Sequence, residues 1–471
     1  MENNKVSMEK NLSSFNVWAL ALGSIIGWGA FVMPADTFLP NGGVLGTLIA
    51  MVIAATVMII IALNYNFMIN EFPVAGGEYV YTKETFGVRH AYACAWFLGL
   101  SYLAIVPLNG TALALIGRNL MGNIFQVGFH YTFAGYDIYA GEIALAVGAV
   151  ILLGYLSIRG AKLAGVLQTL LVILLVGGVG IITIAAIFNP DVTLSNLQPV
   201  YHPEVSKWTG ILAVISVAPW AFVGFDTVPQ AAEEFSFSHK KTIIVMIMSI
   251  VFGATVYIVL NTVTAAVVPV GYESWVDYNN DIANLSGLKT LPTFYAAYTL
   301  LGNAGLILLG FSVCAAILSG VLGFYMATSR LLYAMSLDTV LPQWFGKLSV
   351  KHKTPVNAIF FIMVVSCIAP FFGRTALGWI VDMSSTGAAI GFGYTSASAL
   401  VLAYRAKNKK VVLTGAIGVI VSLIFLTILL IPIPGLDCSL GIESYICLAL
   451  WTVTGIIFYL KSGAHKSHHQ K

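Results

Sequence analysis

The chain contains 471 residues, of which 58% are hydrophobic and 9% are charged, and its net charge is +3. Its mean hydropathy is +0.88, whereas about a quarter of the residues of a soluble domain are charged. This composition excludes a soluble enzyme, a nucleic-acid-binding protein and a disordered scaffold, and it predicts a polytopic membrane protein surrounded by lipid.

Apolar segments of membrane-spanning length recur along the whole chain. A helix rises 1.5 Å per residue, so about 20 apolar residues cross the ~30 Å hydrocarbon core. The segments lack the alternation of polar and apolar residues that a transmembrane strand requires, which predicts an all-α fold. About twelve spans are predicted, at 15–39, 43–70, 91–117, 138–157, 163–188, 209–231, 242–270, 303–334, 356–372, 376–404, 411–432 and 444–460.

The lysines and arginines are distributed unevenly between the two sides of this layout. Nineteen of the 23 fall on the side that carries both termini, whereas the other side carries Arg118, Lys207, Lys289 and Arg374. Because basic residues accumulate in cytoplasmic loops, the sequence predicts that both termini are cytoplasmic.

Two spans contain residues that interrupt a helix near the middle of the membrane. Span 1 contains Gly23, Gly27 and Gly29, and each glycine in a helix costs about 1 kcal/mol relative to alanine. Span 6 contains Pro219 and Gly224. Unwound backbone is tolerated in a membrane only where protein or a water-filled cavity satisfies its polar groups.

The interrupted spans are numbers 1 and 6, five spans apart. This spacing is typical of transporters built from two inverted repeats, whose binding site lies between the interrupted helices. We predict breaks at 25–29 and 217–224 that face each other at mid-membrane. The alternative for the glycines of span 1 is close helix packing, which small residues also allow.

Several segments resemble motifs of one family of transporters. They are 23–34 (GSIIGWGAFVMP), 71–81 (EFPVAGGEYVY) with Phe86 and Gly87, 159–162 (RGAK) with Gln168, 224–226 (GFD) with 232–234 (AEE), and Ser319 with 329–335 (SRLLYAM), Leu341 and Pro342. On these motifs the chain, from about residue 15 to 405, resembles the amino acid–polyamine–organocation superfamily of secondary transporters.

The resemblance implies a LeuT-like fold, in which ten spans form two inverted halves with spans 1 and 6 broken, followed by two C-terminal helices. It also implies transport of an amino acid or related amine by alternating access. The corresponding domains are a cytoplasmic tail at 1–14, a ten-helix transport core at 15–404, two additional helices at 405–460 and a cytoplasmic tail at 461–471.

The resemblance assigns binding roles by position. The backbone of span 1 would bind the α-carboxylate, and the carbonyls of span 6 would bind the α-amine, with Trp220 closing over the substrate as a lid. Two residues of span 3 align loosely with substrate-facing positions. The substrate-binding residues implied in this way are Ser24, Ile25, Gly27, Trp28, Gly29, Leu103, Val106, Trp220, Ala221, Phe222 and Gly224.

The chain departs from the family pattern at two positions. Trp28 stands where a small residue is common, so its indole either narrows the pocket or faces away from it. Several family members carry a lysine in span 5 where this chain has Leu175, so proton coupling through such a lysine is unsupported. Sodium coupling stays open because Ser319 could face span 1 at an ion site, and exchange or facilitated transport fits equally well.

Asp226 is an ionisable residue within a predicted span. A charged side chain at the centre of a bilayer costs ~3 kcal/mol or more, so such residues rarely lack a function. The carboxylate could pair with a cationic group of the substrate, titrate during transport or cap exposed backbone amides. The alternative is a structural hydrogen bond to a neighbouring helix. We predict that Asp226 is the titrating, coupling residue.

Other polar residues in or near the spans are given structural roles. Interhelical hydrogen bonds are predicted for Asn64, Asn66, Asn109 and Arg118. Glu233 and Glu234 lie at the inner end of span 6 and are predicted to form salt bridges with the nearby Lys240 and Lys241 or to act as a gate.

The leading hypothesis for function is a secondary transporter for an amino acid or related amine in the plasma (inner) membrane. An exchanger or facilitator of polyamines or other organic amines is the alternative within that class, and a channel is the alternative outside it. The sequence offers no nucleophile–base pair, phosphate-binding loop or metal-ligand cluster, so no enzymatic activity, cofactor or metal is predicted. The predicted partners are the amine substrate, a coupling ion (proton or sodium) and the lipid bilayer, and no nucleic acid.

Overall fold

The computed structural model describes residues 8–133, 135–373, 375–434, 436 and 438–461. Its helices and strands are α1 (Ser14–Ile25), α2 (Gly29–Met33), α3 (Leu39–Glu71), α4 (Gly77–Phe86), α5 (Val88–Met121), β1 (His130–Phe133), β2 (Tyr136–Tyr139), α6 (Ala140–Ile158), α7 (Ala161–Phe188), α8 (Lys207–Ser216), α9 (Ala218–Ala221), α10 (Thr227–Gln230), α11 (Thr242–Ala266), α12 (Trp275–Asp281), α13 (Pro292–Leu337), α14 (Val356–Ser366), α15 (Thr375–Arg405), α16 (Lys409–Leu430) and α17 (Ile442–Lys461). A π-helical turn, Pro34–Phe38, joins α2 to α3.

Helices occupy every interval that the sequence predicts as a span. Within the described residues, nine helices are long and apolar enough to cross a membrane. The other three predicted spans contain shorter helices: spans 1 and 6 are interrupted, and in span 9 the 3₁₀ turn Ala369–Phe372 follows α14. The prediction of an all-α membrane protein is confirmed, and the count of twelve crossings stays a prediction.

Two glycines mark span boundaries inside helices that are otherwise continuous. Gly43 in α3 has φ 63° and Gly302 in α13 has φ 62°, and neither has helical backbone angles. Glycine reaches positive φ at little cost because it has no Cβ atom. These positions agree with the predicted starts of spans 2 and 8, at 43 and 303.

The interrupted spans lie in the interior of the bundle. α1 packs against α7, α11 and α13, and the short helices of span 6 pack against α13 and α15. Ile25, Val106, Phe222 and Tyr257, from four different helices or breaks, belong to one buried apolar cluster. Neighbouring helices therefore shield the unwound backbone from lipid, as a break inside a membrane requires.

A short antiparallel hairpin precedes α6. β1 pairs with β2, with Thr132 opposite Asp137. The Tyr131 hydroxyl donates a hydrogen bond to the Phe371 carbonyl, which joins the hairpin to the turn after α14. Because β2 continues to Tyr139, the helix of span 4 starts two residues after the predicted position, 138.

A buried ion pair joins span 6 to the C-terminal part of α13. The Arg330 guanidinium donates from Nε to Glu234 Oε1 (2.8 Å) and from Nη2 to Glu234 Oε2 (3.0 Å), and both side chains are 2% exposed. The predicted pairing of Glu234 with Lys240 or Lys241 is therefore wrong. A bidentate arginine in a neighbouring helix satisfies the buried carboxylate better than a lysine at the solvated end of its own segment.

We expect Glu234→Gln to lower the thermal unfolding temperature strongly, because it leaves the buried Arg330 charge without a carboxylate. Removing one partner of a buried ion pair costs ~3–5 kcal/mol. The measurement is thermal unfolding of the purified protein in detergent, followed by intrinsic fluorescence.

The matched control is Lys83→Gln, which removes a partly exposed pair. Lys83 Nζ lies 2.8 Å from Asp338 Oδ1, with side chains 31% and 27% exposed, and such pairs contribute ~0–1 kcal/mol. Equal shifts for the two variants would contradict the difference that burial predicts.

Candidate functional site

Span 1 is interrupted where the sequence predicts it. α1 ends at Ile25 and α2 begins at Gly29, and the C-cap residue Ile26 has φ −92° and ψ 85°, outside the helical region. The Gly27 amide donates to the Ile25 carbonyl (3.2 Å) in place of a helical bond. Helix starts leave their first amides without intrahelical acceptors. Here the Ala30 and Phe31 amides donate to the Gly27 and Trp28 carbonyls (3.3 Å and 3.0 Å), and among the described residues the Trp28 and Gly29 amides have no backbone acceptor.

Span 6 is also interrupted, at Val217 between α8 and α9 and over 222–226 between α9 and α10. These interruptions overlap the predicted range 217–224 and extend two residues beyond it. Gly224 has φ +144°, a conformation that residues with a Cβ rarely adopt. Pro219, inside the predicted range, lies in the first turn of α9, where its missing N–H costs nothing.

The two breaks touch each other at Gly224. A Cβ atom at this position would lie 2.5 Å from the Ile25 nitrogen and 2.7 Å from the Ser24 carbonyl carbon. These distances are shorter than real Cβ contacts, so only glycine permits the approach of the two backbones. The prediction that the breaks face each other is confirmed.

Tyr257 of α11 bridges both breaks, and no sequence signal identified it. Its hydroxyl lies 3.2 Å from the Ile25 carbonyl and 3.3 Å from the Ala221 carbonyl, and the side chain is buried. A hydroxyl has one hydrogen and can donate it to one of these carbonyls at a time. Tyr257 occurs in a long apolar span, where a tyrosine resembles any other core aromatic residue.

Trp220 lies against Gly29 of the other break. A Cβ atom on Gly29 would overlap with the indole of Trp220, so this glycine also has a packing role. Trp220 is half-buried, and Ala221 and Phe222 beside it are fully buried. The indole thus connects the two interrupted spans, which both the lid and the core-packing interpretations require.

Trp28 lines a cavity beside the span 1 break. It does so together with Phe31, Arg118 and Tyr136, and this cavity of about 390 Å³ reaches the loop around Ile282. The indole therefore bounds an open space next to the break, and its role in substrate binding stays a prediction.

Small residues of α13 pack against span 1. The Ser319 hydroxyl donates to the Gly23 carbonyl (3.1 Å), so Ser319 faces span 1 as expected. Ser24 is buried and lies so close to Gly323 that a Cβ there would overlap with its hydroxyl. On α5, Val106 is buried and Leu103 is partly buried against the same cluster. Ser24 therefore lies in span 1 against α13 and Ser319 bonds to it from α13, while the binding roles of all these residues stay predictions.

Asp226 belongs to a buried polar cluster that also contains Glu78. Its Oδ1 accepts from the Gly224 amide (2.7 Å) and its Oδ2 accepts from the Tyr102 hydroxyl (2.9 Å). The same hydroxyl is 3.3 Å from Glu78 Oε1. Tyr65 donates to Glu78 Oε1 (2.9 Å), and Gln230 Nε2 donates to Glu78 Oε2.

The sequence indicated only part of this cluster. Two of the functions considered for Asp226, capping a backbone amide and bonding to a neighbouring helix, occur together in its contacts with Gly224 and Tyr102. Glu78 and Tyr102 were not predicted as site residues. The available signal for Glu78 was a charged residue directly after two glycines, within the motif at 71–81 that carries the family resemblance.

The predicted interhelical bonds are found for three of the four residues named. Asn64 contacts Ser396 and Thr414, Asn66 accepts from Thr242, and Arg118 pairs with Glu142 at 2.6 Å. Asn109 instead donates within its own helix, to the Ile105 carbonyl (3.1 Å), and a Cβ at Gly27 would lie 3.4 Å from its Oδ1. Asn109 is therefore a polar neighbour of the span 1 break.

The chain was compared with protein-family models and with characterised proteins. Residues 12–458 match the model of the amino acid permease family. The chain belongs to this family. It is therefore a membrane transporter of amino acids or related amines, and the prediction of a transporter rather than an enzyme is confirmed.

Its relatives are permeases and transporters with several named substrates. The branched-chain amino acid permease BcaP of Bacillus subtilis (strain 168) is 25% identical, over 98% of this chain and 95% of its own. The methylthioribose transporter of the same organism is 25% identical over 86% of this chain and 83% of its own. The vacuolar cationic amino acid transporter 4 of Arabidopsis thaliana is 24% identical over 84% of this chain and 64% of its own.

We expect Gly224→Ala to reduce transport at least about tenfold and to lower the unfolding temperature. The new methyl group would overlap with the Ile25 backbone, and a strained backbone conformation adds ~1–3 kcal/mol. The measurements are uptake into proteoliposomes and thermal unfolding of the purified permease.

The matched control is Gly180→Ala in α7, where a Cβ meets nothing within 4 Å. This change removes a helix-interior glycine and is expected to leave stability equal or slightly higher. If Gly224→Ala behaved like Gly180→Ala, close contact between the breaks would not be required.

Proposed function

We propose that this permease binds its substrate between the interrupted spans 1 and 6 and moves it by alternating access. The observation that carries this proposal is the contact of the two breaks at Gly224 and Ile25, inside the apolar core. Free backbone groups at this depth can replace the water that a zwitterion loses on entering the membrane.

The two breaks offer complementary groups to an amino acid. The helix that restarts at Gly29 presents amides and a partial positive charge, which suit a carboxylate. The Ile25 carbonyl accepts from the Gly27 amide, and it shares the hydrogen of the Tyr257 hydroxyl with the Ala221 carbonyl. One of them therefore has spare acceptor capacity, which suits the three donors of an α-ammonium group.

We infer that the preferred substrates are neutral amino acids with apolar side chains. Ile25 and Phe222, which belong to the breaks, and Val106 of α5 are apolar and buried in the same cluster. Asp226 is fully buried and already accepts from Gly224 and Tyr102, so it offers no free carboxylate oxygen to a cationic side chain. These features favour the branched-chain class over cationic amino acids and polyamines.

The remaining assignments are proposals about topology and coupling. The excess of basic residues on one side supports cytoplasmic termini and the plasma (inner) membrane as the location. We keep the division into a core at 15–404, additional helices at 405–460 and tails at 1–14 and 461–471. The coupling ion is a proton or sodium, and Ser319 is the residue proposed for a sodium site.

Counterflow in proteoliposomes tests the proposed function. Vesicles preloaded with unlabelled L-leucine should accumulate labelled L-leucine above its external concentration, because a carrier exchanges the two pools. Excess L-isoleucine should compete and L-arginine should not. Competition by arginine alone would contradict the neutral specificity, and release of every loaded solute without accumulation would indicate a channel.

We expect Trp220→Leu to raise the apparent KM for leucine several-fold while the protein stays folded. The indole lies on Gly29 and spans both breaks, so a smaller side chain closes the site less completely. The measurement is the concentration dependence of leucine uptake.

The matched control is Trp208→Leu in α8, a tryptophan that is 74% exposed. It removes the same indole from the same interrupted span without touching the break. An unchanged KM in Trp220→Leu with normal expression would assign Trp220 to core packing.

A further inference from the structure

Glu78 and Asp226 are two fully buried carboxyl groups close together. Both contact the Tyr102 hydroxyl, at 3.3 Å and 2.9 Å, so the contacting oxygens are at most about 6 Å apart. Within the described part of the chain, neither carboxyl forms a salt bridge, and the buried Arg330 is engaged by Glu234. Two like charges at this distance in a buried site disfavour each other's ionisation.

The Tyr102 hydroxyl has three hydrogen-bond acceptors nearby but can donate to one of them at a time. It lies near Asp226 Oδ2, the Asp226 carbonyl (3.0 Å) and Glu78 Oε1, but it carries one hydrogen. A proton on Glu78 resolves this arrangement. The Glu78 O–H then donates to the Tyr102 oxygen, and the Tyr102 O–H donates to Asp226, which keeps one negative charge.

The groups around the pair are neutral hydrogen-bond donors and weak acids. They come from α3, α4, α5 and span 6, and they comprise Tyr65, Tyr81, Cys94, Tyr102, Gln230 and the Gly224 amide. The buried charge of α13, Arg330, is paired with Glu234. Burial, and secondly the charge of Asp226, raises the pKa of Glu78 to about 8. Glu78 is in α4, which is not one of the candidate spans.

We propose that Glu78 and Asp226 share one exchangeable proton across Tyr102, and that this pair is the proton-binding site that couples the permease to a pH gradient. The proposal rests on the proposed function, because coupling presupposes transport between the two breaks. A proton fits better than a metal cation, since Tyr65, Tyr102, Gln230 and the Gly224 amide already direct hydrogens at the carboxyl oxygens.

The position of the pair explains how a proton would affect substrate. Asp226 Oδ1 holds the Gly224 amide, and Gly224 touches Ile25 in the other break. On the opposite side, the neighbour of Glu78, Tyr79, donates to Asp338 beyond the end of α13 (2.9 Å). Loss of the proton therefore changes the charge at a point that connects the substrate site to the contact between α4 and α13.

The test uses full-length permease in proteoliposomes loaded with a pH-sensitive dye, in sodium-free buffer. Addition of external L-leucine should acidify the lumen of wild-type vesicles, and leucine uptake should fall as external pH rises through about 8. In the double variant Glu78→Gln/Asp226→Asn, the number of protons moved per leucine should fall about tenfold, and the pH dependence should flatten. Tyr102→Phe, which keeps both carboxyls and the ring, should reduce the same ratio.

Two controls and several outcomes decide the proposal. Glu71 is an exposed acid at the end of α3, and Tyr325 is a buried tyrosine bonded to the Val150 carbonyl. The controls Glu71→Gln and Tyr325→Phe should keep the wild-type number of protons per leucine.

Wild-type vesicles that exchange leucine without acidification, or that need sodium, would overturn the proton site and leave the proposed function intact. An unchanged number of protons per leucine in the double variant would also overturn the proton site. If the double variant does not fold, an unchanged number in Tyr102→Phe would overturn the proton site instead. Absence of leucine counterflow in wild type would instead contradict the proposed function.

Discussion

Backbone that leaves a helix inside a membrane must find hydrogen-bond partners within the protein, and this constraint organises the centre of the permease. At Gly224 both peptide groups are satisfied by nearby side chains: the amide by Asp226 (2.7 Å) and the carbonyl by the Thr227 hydroxyl (2.6 Å). Tyr257 then serves the carbonyls on either side of the contact. The residues around the break thus provide hydrogen bonds to its backbone as well as the flexibility of glycine.

The buried charges of the permease fall into two physically different groups. Glu234 with Arg330 and Glu142 with Arg118 are carboxylates with bidentate guanidinium partners, which offset the cost of removing both charges from water. Glu78 and Asp226 face each other through a neutral hydroxyl instead. The first arrangement pairs opposite charges, whereas the second places two acids next to each other, and this difference is the basis of the proposed proton site.

The sequence predicted the features that depend on composition and local propensity. The lengths of the apolar segments predicted the spans to within a few residues, because a membrane helix must cover the hydrocarbon core with apolar side chains. The glycines of span 1 predicted its break, because glycine weakens a helix. In span 6 the predicted break, 217–224, contained Gly224 but also Pro219, which lies in the helical turn α9 because proline also starts a helix well. The requirement for glycine at Gly224 comes from the approach of another backbone, a tertiary feature that local sequence does not show.

Contacts between distant segments could not be predicted from one sequence. Glu234 had two lysines nearby in the chain but pairs with Arg330, 96 residues away. Glu78 was visible only as part of a motif, and its partner across Tyr102 depends on how α4, α5 and span 6 pack. The cavity that Trp28 lines with Arg118 and Ile282 likewise joins residues far apart in the chain. Each of these is set by helix packing rather than by local pattern.

The close contact of the breaks limits how the permease can accommodate substrate. Gly224 and Ile25 leave no room for a single methyl group between them, so an amino acid cannot enter this point while the contact persists. Binding at the site proposed between the breaks would therefore require span 6 to move relative to span 1, and this movement would pull on the Gly224 amide that donates to Asp226. Because Asp226 is linked through Tyr102 to Glu78 in α4, separating the breaks also disturbs the groups near the α4–α13 contact. A continuous set of short contacts thus connects the proposed substrate site to the contact between α4 and α13. Alternating access requires such a connection, because the site must close toward one side of the membrane when it opens toward the other.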